Sequence, residues 1–68
     1  MRELDFTVAP GQYRVYRQRD QDFFILKLDR ETEGDDVRAL ILRCGSVNRG
    51  EAYTVLDWDG AHMFTAIA

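Results

Sequence analysis

The chain is poor in the residues that build chemical sites. It has one cysteine, one proline, one histidine and one lysine in 68 residues. A single thiol, Cys44, excludes an internal disulfide, and a single histidine, His62, excludes the Cys/His clusters of structural zinc sites. No apolar run approaches the ~20 residues that cross a bilayer as a helix. The opening MRELDF lacks the apolar core and small-residue cleavage pattern of a secretory signal. With an unpaired cysteine, these absences lead to the expectation of a reducing, cytoplasmic compartment.

Motifs for catalysis and cofactors are equally scarce. GSVNRG, Gly45 to Gly50, is bounded by glycines but is followed by Glu51, where a phosphate-binding loop needs lysine. DWDG supplies Asp57 and Asp59 at the first and third positions of a calcium loop. The fifth position is then Ala61 and the twelfth Ala68, so a hairpin turn is the reading. Only one Cys–His pair can be formed, from Cys44 and His62. Cys44 ends an apolar segment and is expected to be buried, which makes a poor nucleophile. No pair of carboxylates is marked by an apolar setting that would raise a pKa. The expectation is a non-enzyme without metal or cofactor.

What is present is a mostly acidic, apolar-rich chain. Hydrophobic residues make up 46%, too many for a disordered segment, and the net charge is −3. The length allows one small domain, residues 1–68, of marginal burial. Such a domain must rely on tight packing or on self-association. Charge is unevenly spread. Residues 11–20 hold Arg14, Arg17 and Arg19 against Asp20. DRETEGDD, Asp29 to Asp36, holds five carboxylates and one arginine.

Hydrophobic alternation predicts mainly β structure. Leu4, Phe6 and Val8 alternate with Asp5 and Thr7. After the break at Pro10 and Gly11, Tyr13 and Val15 face one way and Arg14, Tyr16 and Gln18 the other. FFILKLD, Phe23 to Asp29, is apolar on both faces, which predicts a central strand covered twice. AYTVLDW and HMFTAIA flank an Asp-Gly turn, a strong hairpin signal. DDVRALILRCG reads either way. As a helix it has acids first, Arg43 late, Gly45 as a cap, and a stripe of Val37, Leu40, Ile41 and Cys44. As a strand it alternates Leu40, Leu42 and Cys44 against Val37, Ala39 and Ile41, and the strand is the preferred reading. The expected fold is a small antiparallel barrel or curved sheet of five or six strands, SH3-like or OB-like in style. The alternative is an α+β sheet with one short helix near residues 35–44.

Two functional expectations follow. The first is a small protein-binding module, an inhibitor or adaptor that occupies a partner protein's surface. Short phage or mobile-element proteins that block host nucleic-acid-targeting complexes, CRISPR complexes among them, have this format of size and charge. The contact candidates are Glu31, Glu33, Asp35 and Asp36, which would meet basic residues, and Trp58 as an apolar anchor. The second is a single-stranded nucleic-acid module using Arg14, Tyr16, Arg17 and Arg19, by stacking and phosphate contact. Its weakness is the small number of cations in an acidic chain. The last strand, nearly free of charge, suggests a homodimer through its edge.

Overall fold

In the computed structural model, which describes residues 3–44 and 46–68, the chain is mainly β with one short helix. The strands are β1 (Thr7–Val8), β2 (Gly11–Arg17), β3 (Phe23–Leu28), β4 (Thr32–Glu33), β5 (Ala52–Asp57) and β6 (His62–Ile67). The helix α1 spans Gly34–Arg43, between β4 and β5. Four strands form one antiparallel sheet in the order β3-β2-β5-β6, and β1 pairs with β4 as a separate ribbon. The large sheet is open, with β3 and β6 as its edges, so no barrel closes.

Alternation decides which residues meet. In β2, Tyr13 and Val15 are buried, and their ladder partners include Leu26, Val55 and Phe24. Leu26 and Leu28 of β3 and Tyr53 and Val55 of β5 join them on this inner face. The helix lies over that face and contributes Val37 and Ile41, both 0% exposed. Val8 from β1 and Val47 from the α1–β5 connection close the core, and Phe64 and Ala66 of β6 pack at its margin.

Residues 34–43 are therefore a helix, not the strand preferred from sequence, and the physical reason is economy of cover. An open four-stranded sheet leaves an inner face one helix wide. A helix places Val37 and Ile41 one turn apart on that face and turns Asp36 and Arg43 to water. Asp35 and Asp36 stand in its first turn and Arg43 in its last, as the dipole favours. Cys44 ends the stripe at the helix C-cap but is exposed, not buried. Gly45, the expected cap, lies outside the described residues.

The N-terminal segment clamps the start of the helix. The Gly34 amide donates to the Phe6 carbonyl at 2.8 Å, and the Leu4 amide donates to Asp35 Oδ1 at 3.0 Å. A Cβ on Gly34 would lie 2.7 Å from the Leu4 Cβ, so only glycine admits this approach. The strand expected from Leu4 shortens to Thr7–Val8 because its earlier residues serve this clamp instead.

A second expectation also changes. β3 is an edge strand, not a central strand covered on both faces. Phe23 and Ile25 are 44% and 47% exposed. The one helix covers the inner face, and among the described residues no element covers the outer one. The Asp-Gly hairpin forms as read, with Gly60 at φ 89° and the Asp57 carboxylate accepting from the Ala61 amide at 2.8 Å.

Candidate functional site

The uncovered face of the sheet is the distinctive surface of the molecule. Period two sets its residues: Gln12, Arg14 and Tyr16 from β2, Phe23, Ile25 and Lys27 from β3, Ala52, Thr54 and Leu56 from β5, and Thr65 and Ile67 from β6. A register shift at Val55/Leu56 sets Leu56 opposite His62, so β6 carries Met63 as an extra residue between its partners. Such a bulge breaks the alternation and re-aims side chains. Here His62 Nε2 lies 3.0 Å from the hydroxyl of Thr65, which itself lies 3.0 Å from that of Thr54. Of the six exposed large hydrophobics among the described residues, Phe23, Ile25, Trp58, Met63 and Ile67 belong to this face or its bordering turn, and Phe6 lies elsewhere.

Arg14 is the polar centre of the face. Its guanidinium carbon sits 5.0 Å from the Trp58 ring centroid and 6.0 Å from that of Phe23. Trp58 continues the outward phase of Leu56, which faces Arg14 across the ladder. Tyr16 and Phe23, direct ladder partners, hold their rings 5.0 Å apart. Each exposed cation–π contact is worth about 0.5–1 kcal/mol and fixes the guanidinium plane at little entropic cost. Arg14 and Lys27 are cations on this face, and no outward position of the four strands carries a carboxylate. That is a marked segregation in a chain with twelve carboxylate residues.

The other arginines of the basic stretch are used internally. Arg17 bridges Asp20 and Asp22, each at 3.1 Å, across the β2–β3 turn. The Asp20 carboxyl titrates below its usual range, chiefly because the Asp22 amide donates to it and also because of Arg17. Arg19 meets Glu51 at 3.2 Å and the Ser46 carbonyl at 3.3 Å. Of the four residues expected for nucleic acid, only Arg14 and Tyr16 share the open face.

The acids lie on the other layer. Glu31 precedes β4, Glu33 ends β4 at the helix N-cap, and Asp35 and Asp36 occupy the first helical turn. Asp35 is committed to the Leu4 amide and, at 3.8 Å, to Arg38. Asp36 borders an open groove of ≈ 610 Å³ between α1 and the end of β3, lined also by Lys27, Asp29, Arg30 and Arg43. Its mixed charges give it no clear ligand preference. Trp58, on the opposite face, is separated from these acids by the sheet.

Among the described residues, no group of three His, Cys, Asp or Glu could hold a metal ion, and no helix is long and apolar enough to cross a membrane. No family model, curated protein or solved structure matches the chain.

Sequence reasoning found Arg14, Tyr16 and Trp58 but missed Phe23, Ile25, Leu56, Met63 and Ile67. The available signal was arithmetic of cover. One short helix cannot cover both faces of a four-stranded sheet, so apolar residues of both phases imply an exposed apolar face.

Proposed function

We propose that this chain is a non-catalytic protein-binding module, an inhibitor or adaptor, that occupies a partner through the open face of its sheet. The single observation behind this reading is the carboxylate-free, apolar and aromatic face centred on Arg14. Contiguous exposed apolar surface of this kind on a small protein marks an interaction site. Tyr, Trp and Arg are also the residues that dominate binding energy at interfaces.

The partner's chemistry follows from the face. Its aliphatic residues, Ile25, Leu56, Met63 and Ile67, favour an apolar segment. Arg14, oriented by two rings, favours a carboxylate at the centre of that segment, held by a charge-assisted hydrogen bond. Glu31, Glu33, Asp35 and Asp36 then contribute as a secondary, long-range field that steers a partially basic partner and weakens with salt.

The rings of Tyr16, Phe23 and Trp58 beside Arg14 also suit stacked bases, which keeps the nucleic-acid reading in view. Two cations amid aliphatic residues give that reading a weak electrostatic footprint. A titration with labelled single strands at low and moderate salt separates the two. The protein-binding reading predicts no association at either salt, and saturable binding lost in Tyr16→Ala would replace it.

A further inference from the structure

We infer that β6 is a pairing edge for a second copy of this chain, forming a symmetric dimer in which the two sheets become one. This goes beyond the face-binding reading and does not depend on it. β6 ends the strand order, so one side of its backbone has no neighbour in the sheet. The hydrogen bonds at its C-terminal end show which side. The Ala68 amide donates to the Glu51 carbonyl at 2.9 Å, and the Ala68 carbonyl accepts from the Gly50 amide at 2.7 Å. Ala68 thus turns towards β5, and alternation turns Ala66 the same way. Thr65 and Ile67 turn their N–H and C=O groups outward, to the open edge.

Apart from the bulge at Met63, that edge lacks the devices that keep strands apart. Lone edges are blunted by lysine, proline or inward charge. The residues from His62 to Ile67 contain no proline and no permanently charged side chain. The opposite edge, β3, is guarded: Lys27 lies within it and Asp22 and Asp29 flank it. The bulge at Met63 restricts clean pairing to the C-terminal half of β6.

One antiparallel register fits that half on a two-fold axis. Centred on Ala66, it sets Thr65 of each copy opposite Ile67 of the other, and both pairs are of the type that exchanges two hydrogen bonds. Four backbone bonds form. Ala66 faces Ala66 in the closer, non-bonded pair, where small side chains avoid a clash. No like charges oppose one another in this register. Both helices stay on one side, and the two open faces join on the other. Ile67, 57% exposed in the single chain, gains cover. A strand pairing this short falls below the ~1,200 Å² of a standard interface, so the dimer is predicted to be weak and concentration-dependent.

Sedimentation across micromolar to millimolar protein, with amide hydrogen exchange on the same samples, tests the inference. The expected mass rises from 7.9 kDa towards twice that value. Protection of the Thr65 and Ile67 amides rises with it, while that of Phe64 and Ala66 is present throughout. Ile67→Pro removes an outward N–H that does not serve β5, and edges admit proline there. It should stay monomeric while keeping the wild-type spectrum. Ile67→Lys should weaken pairing as well, without touching the ladder. Arg14→Glu and Trp58→Ala should leave the dimer intact, which separates this inference from the face-binding reading. A mass fixed at 7.9 kDa at millimolar concentration, Thr65 and Ile67 amides that stay unprotected, or association undiminished in Ile67→Pro would each overturn it.

Discussion

Tyr53 is the residue whose environment is least balanced. It is 0% exposed near the start of β5, and its hydroxyl has no hydrogen-bond partner among the described residues. Burial pushes its pKa from 10.0 to about 12. The folded state therefore holds this proton more tightly than the unfolded chain. The corresponding stability is full below pH 10.0 and is lost as pH rises towards about 12. Tyr13 is raised too, first by burial and then by the Asp57 charge, so it adds to the same alkaline loss. Tyr53→Phe keeps the ring against Phe64 and removes the orphan hydroxyl. It is expected to stabilise the fold by about 1 kcal/mol at neutral pH. It should also lessen the fall in stability above pH 10.0, as read by urea unfolding at a series of pH values. A loss of stability at neutral pH would mean that the hydroxyl is satisfied in solution.

Among the elements, α1 depends most on one backbone contact. Gly34 starts the helix where Leu4 and Phe6 press against it, with Leu4 O and Phe6 Cζ both 3.0 Å from the position of a Cβ. Gly34→Ala would ordinarily help a helix, yet here it is expected to cost about 1–3 kcal/mol by overpacking. Chains of this length have roughly 3–10 kcal/mol in total, so the denaturation midpoint should fall visibly. A neutral or stabilising result would show that the N-terminal clamp yields freely. At this scale the sequence was informative where one element has one environment. Tyr13 and Val15 point inward as alternation requires, and the Asp-Gly turn joins β5 to β6. It was ambiguous where the answer depended on the rest of the fold. Val37 and Ile41 satisfy both periods, and only the need to cover an open sheet selects the helix. Phe23 and Ile25 looked buried because their apolar character is local, whereas their exposure reflects a second cover that is missing.

The whole molecule is a two-layer object with one finished surface and one open one. The helix layer carries Asp35, Asp36 and the ion pair of Arg38 with Asp35, and the ion pairs of Arg17 and Arg19 sit in turns at the sheet's ends. The outer sheet face carries the aromatic rings, Arg14 and no carboxylate. A monomer gains nothing in solubility from that face, and this composition is what the proposed binding role would require. The basic-aromatic strand was legible from the start, but its meaning was not. Arg17 and Arg19 tie the turn and the β5 entry together, and Arg14 is left as the face's polar anchor. Removing that anchor alone should weaken partner binding by about tenfold with little effect on folding. Trp58 is 50% exposed, and Trp58→Ala is expected to shift stability by less than about 1 kcal/mol.

The central claim is that the open face, and not the acidic helix end, carries partner binding. The direct measurement is affinity capture from cell extract with three baits: the wild-type chain, the Arg14→Glu/Trp58→Ala double variant, and a variant with Glu31, Glu33, Asp35 and Asp36 neutralised. The binding of each retained protein is then measured with purified components. The account predicts a partner whose affinity falls by at least about 100-fold in the face variant, the loss of two anchors of roughly 1.5 kcal/mol each. It predicts only a modest, salt-dependent loss in the acid variant. Equal affinity for the face variant and the wild type, or a loss confined to the acid variant, would contradict it.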